Sequence, residues 1–577
     1  MASRRRARLS LTGLALICGA SLALTACGGN ASSPPGSSAG AGSGSAGASL
    51  SGTPVKGGTV EVLANASFSH LDPALGFDGG VNNFYRLIYR TLVTSSPGTK
   101  GATYEPDLAT DLGTPSDDAK VWKFTLKDGV TFQDGTPITS DDVRFGVERT
   151  FDPALSAGSP YARTFLADTK GYTGPFNGGK HLSSIETPDK KTIIFHLNQP
   201  VADFPAVTAQ NTFVPLPAGK GGTTTYDKTP VASGPYQLDS YQPGSSLTLV
   251  RNPSFDPATD TVRKAYPDRF EWRFGIDDAT ANERALADQG ADKDQAGVVV
   301  QPSSIARLNQ PGVTDRTFQA PTTCTTYLGL NTTKGPLKKL AVRQAVSYAV
   351  DKKQIQTATG GSRKAVVVST MLPPTLAGHK DFDLYPSTDN SGDPAKAKQL
   401  LSDAGYPSGI TMTLDIRNLP AMQAQAEALQ QSLLKAGITV KLNVIDASTY
   451  YEVIGTTSQQ HDAAITGWCP DWPSGRSFLP PLFDGRTITS KGNSNLAQID
   501  DPAINAAIDK VNATPSVEAA NAGYGDLDET ILKQAPVVPL NVENTVQVFG
   551  SNVTGVESTP AFSGFPDLVM VGLKKVE

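Results

Sequence analysis

The sequence predicts a mixed α/β protein, and three observations carry that class. First, Val121–Lys127 alternates: Trp122, Phe124 and Leu126 point one way while Lys123 and Thr125 point the other, the period of a half-buried strand. Second, residues 411–444 read as strand, helix, strand. Met412, Leu414 and Ile416 alternate, Ala421–Ala436 is helical and stops at Gly437, and Ile438, Val440, Leu442 and Val444 alternate again. Such a unit demands a parallel pair with a right-handed crossover. Third, 38% apolar and 18% charged residues exclude a wholly disordered chain and a coiled coil. At 577 residues the chain is too long for one ordinary core and should divide into roughly two to four structural units.

The first element is an address. Arg4, Arg5, Arg6 and Arg8 precede a stretch from Leu9 to Leu24 that is mostly apolar or small. It is too short and too rich in Ser, Thr and Gly for a comfortable membrane span. It ends in Leu24-Thr25-Ala26-Cys27-Gly28, which resembles a bacterial lipobox. Residues 1–26 are therefore expected to be a lipoprotein signal peptide, with Cys27 lipidated; an ordinary signal peptide with an incidental Cys is the plainer alternative. Arg4-Arg5 leaves the twin-arginine route open beside Sec. Loss of four Arg and no acid takes the formal charge from −5 to −9. Residues 27–54 are nearly all Gly, Ser, Ala and Pro, a flexible tether whose coil would span roughly 30 Å. Gly42-x-Gly44-x-x-Gly47 and Gly36-x-Ser38-x-Gly40 fall in it by composition alone, with no strand before or helix after.

Further elements follow in order. Residues 57–66 read as a strand, and Val81 to Val93 as a helix with Phe84, Leu87, Ile88 and Leu92. Asp128-Gly129 and Asp134-Gly135 are turn pairs, and Thr139 or Ser140 caps a helix carrying Val143 and Val147. Residues 192–197 and Leu247–Val250 read as strands, and Leu337–Ile355 as one amphipathic helix. Asp393-Pro394 starts a helix that Gly405 ends, and residues 462–468 supply a further strand.

Function classes narrow from the residues that carry chemistry. No basic block lies beyond the first eight residues, against nucleic-acid binding. Cys18 leaves with the leader and Cys27 with the lipid, so Cys324 and Cys469 remain. Outside the cytoplasmic membrane such a pair reads as a bridge; a Cys-His enzyme is the sharper alternative, with His461 nearest in sequence. A secreted hydrolase is the rival class. Ser432-Leu-Leu-Lys435 lacks a Lys-Thr-Gly partner, no His-Glu-x-x-His occurs, and the five His (70, 181, 196, 379, 461) are dispersed. Gly174-x4-Gly179-Lys180 is followed by His181 rather than Ser or Thr, so a phosphate loop is not expected. No enzyme activity, metal or cofactor is expected.

The stretch Val121-Trp-Lys-Phe-Thr-Leu-Lys-Asp-Gly-Val-Thr-Phe-Gln-Asp-Gly-Thr-Pro-Ile-Thr-Ser-Asp-Asp-Val143 resembles the signature of the family 5 extracellular solute-binding proteins, the oligopeptide, dipeptide and nickel-type receptors of ABC importers. Further matches follow in the family's order: His70-Leu71-Asp72-Pro73, Ser233-Gly234-Pro235-Tyr236 with Arg251-Asn252-Pro253, Tyr327–Asn331 with Val342-Arg343-Gln344-Ala345 and Ala349-Val350-Asp351, and Gly467-Trp468-Cys469-Pro470-Asp471-Trp472-Pro473.

The resemblance implies a bilobal periplasmic-binding-protein fold. The first lobe would combine residues 55–320 and 543–577 with an extra subdomain near 95–200, and the second would be 321–542. Hinge segments are implied near Gln319–Thr323 and Val537–Glu543. It implies a monomeric, extracytoplasmic receptor that captures peptides and delivers them to ABC permease subunits. Asp471 would meet the peptide α-amino group, since a fixed carboxylate in a water-poor cleft favours an ammonium; a surface or hinge Asp is the plain alternative. A Cys324–Cys469 bridge would hold Cys469 and the Asp-bearing loop against the hinge. Trp468 and Trp472 could wall the ligand or simply pack in a core. Phe77, Asp78 and Gly79 would offer extended backbone for a peptide strand, or form a turn. The chain departs from the family at Ser474-Gly475, and Ala463-Ala464-Ile465 carries no Arg for a peptide carboxylate. A metal chelate, a sugar or another small solute is the runner-up ligand.

Overall fold

The computed structural model describes residue 50 and residues 52–576, except 77–78, 98–102, 156–157, 177, 179, 220–224 and 448. The leader, Cys27, most of the tether, Phe77 and Asp78 lie outside the described residues.

Three sheets organise the chain. One has the order Thr59–Leu63, Arg269–Arg273, Ser246–Arg251, Tyr236–Gln242, with the first pair parallel and the rest antiparallel. A second is antiparallel throughout: Thr114–Ser116, Val121–Thr125, Thr192–His196, Ile185–Glu186. The third has seven strands: Val298–Val299, Val537–Val548, Thr317–Leu330, Ala463–Trp468, Ile410–Arg417 and Ile438–Ile445, with Ala365–Val367 also on Val537–Val548.

The family-like stretch forms one unit. Trp122 and Phe124 enter a core with Phe195, Phe204 and Phe213, as their alternation predicts. Gly129 and Gly135 both take positive φ at the two turns. The Asp142 carboxylate accepts from the backbone N–H of Thr139 at 2.8 Å and from its hydroxyl at 2.6 Å, fixing the start of helix Ser140–Arg149. Val143 and Val147 then point into the same core. The last residue, Arg149, makes two parallel bonds to Asp72, at 2.7 and 2.8 Å, with both side chains buried. The Tyr226 ring lies 5.3 Å from the guanidinium. Two motifs far apart in sequence therefore meet as a buried ion pair.

The strand–helix–strand reading is realised: Ile410–Arg417, Pro420–Lys435 and Ile438–Ile445, with the strands parallel from Ile410 opposite Ile438 to Arg417 opposite Ile445. Two readings change. Residues 337–355 form no single helix. Leu340–Ala349 stops, and Asp351 starts Lys352–Thr359 by accepting the Gln354 N–H at 2.8 Å, a local cap that outcompetes helix continuation. The early helix runs Gly79–Ile88, and Val93 opens strand Val93–Ser96, paired with Thr103–Pro106.

The two longest strands run through separate cores. Thr317–Pro321 pairs with Asn544–Val548, where Phe318 and Ala320 join Val60, Phe270 and Trp272. Thr325–Gly329 pairs with Val537–Val542, where Leu328, Val538 and Leu540 join Leu414 and Leu429. The register shifts between Pro321 and Thr325.

Arg149→Met should leave Asp72 charged and buried, lowering the urea midpoint by an amount equivalent to about 3–5 kcal/mol. Adding Asp72→Asn to that variant should recover part of the loss, read by equilibrium unfolding.

Candidate functional site

Strand Ala463–Trp468 lies inside the seven-stranded sheet, antiparallel to Thr317–Leu330 and parallel to Ile410–Arg417. Trp468 pairs with Thr325, so the next step outward brings Cys469 beside Cys324. The two are joined in a disulfide. The chain leaving that bond is fixed at its far end as well. Trp472 is buried in the core of Trp122, Phe124 and Phe204, edge-on to Tyr161 with centroids 4.8 Å apart. Its indole N–H donates to Asp203 Oδ2 at 2.7 Å, and Arg476 Nε meets Asp203 Oδ1 at 3.2 Å.

Asp471 sits between these anchors. Its carboxylate accepts from the Tyr161 hydroxyl, and its backbone oxygen accepts from Gln210 Nε2 at 2.9 Å. Burial pushes the carboxyl up to about 6, while the Tyr161 donor pulls it down. Burial and the Asp471 charge together raise the Tyr161 hydroxyl well above its usual value. No cation pairs with Asp471 among the described residues.

Asp471 borders a polar cavity of about 70 Å³, whose other walls include Asn82, Arg86, Tyr104, Gln210 and Phe562. Asn82, Tyr85, Arg86 and Tyr89 lie on one face of helix Gly79–Ile88 and its C-terminal extension, at helical spacing. Arg86 is held by Asp567 at 2.8 Å. A larger hollow of about 1080 Å³ lies elsewhere, walled by residues such as Phe68, His70, Asp227 and Tyr241. Several of its walls belong to the core of Val60 and Phe270, and it does not include Asp471. The small cavity is the candidate because it joins an unpaired carboxylate to donors from distant parts of the chain.

Of the expected ligand residues that are described, Asp471 lines this cavity and the others do not. Trp472 takes the core-packing alternative. Trp468 is half-buried and donates to the Ser477 carbonyl at 3.0 Å, beside the Leu479 and Phe483 core. Cys469 is exposed and held in its disulfide. Gly79 begins a helix rather than an extended edge, because the apolar spacing of the following residues carries helix up to it. The sequence reading missed Asn82, Arg86, Tyr104 and Gln210. The polar face of the first helix was a visible signal, since Asn82 and Arg86 stand four apart opposite its apolar stripe.

The chain is thus α/β, with two long strands running through separate cores and a polar cavity lined by distant segments. Residues 103–490 match Bacterial extracellular solute-binding proteins, family 5 Middle, and the chain belongs to that family. It is similar to the probable D,D-dipeptide-binding periplasmic protein DdpA of Escherichia coli K12, 27% identical over 514 residues, 85% of this chain and 89% of that one. Among solved structures it is similar to clavulanic acid biosynthesis oligopeptide binding protein 2, with TM-score 0.86, 32% identity, and 92% and 98% of the two chains covered. It is also similar to DppA from Helicobacter pylori in complex with the peptide STSA, with TM-score 0.70, 25% identity, and 90% and 99% covered. The fold is the bilobal binding-protein fold.

Between the ordinary carboxyl value of 3.8 and about 6, the folded chain keeps a proton on Asp471 that the unfolded chain releases. Stability from this group is therefore lost as pH rises through that window, on the order of 3 kcal/mol. Asp471→Asn should raise Tm at pH 7.5 and leave it unchanged near pH 4, measured by calorimetric melting without ligand.

Proposed function

We propose that the chain is a lipid-anchored receptor that captures peptides between two closing lobes and delivers them to an ABC permease. The lobes would be residues 55–320 with 543–577, and residues 321–542. The register shift between Pro321 and Thr325 supports a hinge there. The observation that carries the reading is the Asp471 carboxylate, partly desolvated and without a cation among the described residues. A peptide ammonium would repair both deficits at once. Related proteins named for D,D-dipeptides and oligopeptides, and one solved with the peptide STSA, support peptides as the ligand class.

Capture follows from differential affinity. A ligand touching Asp471 on one side and the helix Gly79–Ile88 face on the other stabilises the closed arrangement by the contacts that only closure supplies. The lipobox at Cys27 and the Gly- and Ser-rich tether would keep the receptor at the outer face of the cell membrane beside its permease.

Calorimetric titration with a peptide library tests the ligand class. N-acetylation should weaken binding by on the order of 30-fold or more, and Asp471→Ala should do the same; unchanged affinity in both would sink the assignment. Cys27→Ser should abolish incorporation of labelled palmitate and release the protein into the medium.

A further inference from the structure

We propose that Tyr104 and Arg86 form an oxygen-reading subsite beside Asp471, so that the receptor selects an ammonium whose adjacent carbon carries a carbonyl. This rests on the peptide reading above and specifies which part of the ligand the cavity reads.

The argument starts from the hydrogen bonds of Arg86. A guanidinium has five N–H groups. Nη1 donates to Thr94 Oγ1 at 2.7 Å and to Ser95 Oγ at 3.2 Å. Nη2 donates to the Ser95 carbonyl and to Asp567 Oδ2, both at 2.8 Å. Four groups are thus used, and Nε–H is buried with no partner among the described residues. Tyr104 stands opposite Ser95 in the ribbon of Val93–Ser96 and Thr103–Pro106. Its hydroxyl is likewise sealed from water and without a partner among the described residues. Both residues line the cavity that Asp471 borders. Buried donors are costly to leave unpaired and are rarely left so in native proteins. Two of them in one polar cavity define a place for an acceptor oxygen.

Charge selects the kind of oxygen. Asp567 neutralises Arg86 at 2.8 Å, and the Phe562 ring covers the guanidinium at 5.1 Å. The subsite therefore offers hydrogen bonds without a free positive charge, which suits the oxygen of an amide. Size selects the spacing. A cavity of about 70 Å³ has room for roughly two water-sized groups, so the oxygen it accepts lies a few bonds from the ammonium. That is the spacing of an N-terminal residue's own carbonyl. A free amino acid offers the same atoms in a carboxylate.

Titration calorimetry with L-alanyl-L-alanyl-L-alanine tests this, alongside its analogue in which sulfur replaces the first amide oxygen. The protein should bind the oxygen peptide about 10-fold more tightly than the thioamide. Tyr104→Phe should lose about 10-fold for the oxygen peptide and nothing further for the thioamide, while its Tm without peptide stays level or rises. Asp471→Ala should weaken both probes equally. Equal binding of the two probes by the parent, or an unchanged ratio in Tyr104→Phe, overturns the subsite and leaves the Asp471 reading intact. Binding of neither probe by the parent overturns both. Free alanine distinguishes the two sources: binding weaker than the tripeptide supports an amide carbonyl, and tighter binding overturns that choice.

Discussion

The segment from Cys469 to Ser477 is pinned from two directions, and the candidate site depends on that restraint. At one end a disulfide ties it to the strand pair that runs through both large cores. At the other, Trp472 is buried among aromatic rings from residues 122–213, and Asp203 receives both the indole and Arg476. Asp471 lies between the two anchors, so its backbone cannot move far without breaking one of them. Its desolvation is a property of the loop's attachment rather than of the residue.

That restraint bears on the ligand role proposed for Asp471. A carboxylate free to move would be hydrated in the empty protein and would lose that hydration on binding. Here part of that loss occurs on folding, and burial accordingly raises the carboxyl value. The helix Gly79–Ile88 has an equivalent role across the cavity. Its apolar residues Phe84, Leu87 and Ile88 fix it in the Val60 core, and Asn82 and Arg86 on its other face meet the cavity. One face of this helix packs in the core, and the other lines the candidate cavity.

Much of the fold was legible because its elements are locally consistent. The alternation at Val121–Lys127, the cap at Thr139 and the strand–helix–strand unit each agree with their tertiary setting. The single helix expected over residues 337–355 was broken by Asp351, whose side chain satisfies the next helix's amides. Asp471 was legible from the motif around it, and the disulfide from compartment and count. Tyr104 and Gln210 were not, because neither stands in a periodic pattern or a motif. What makes them part of the cavity is long-range placement, one on a ribbon strand opposite Ser95 and the other beside the backbone of Asp471.

The burial of Trp472 reaches beyond the site. Its indole completes a core that residues 92–213, Trp122 among them, otherwise build among themselves, while Trp272 is enclosed in a separate core. Any motion that lifts the loop returns the Trp472 indole to water and removes a member of the Trp122 core, while Trp272 keeps its surroundings. The molecule thus carries an intrinsic optical gauge, whose emission colour follows the position of the very loop that bears the carboxylate.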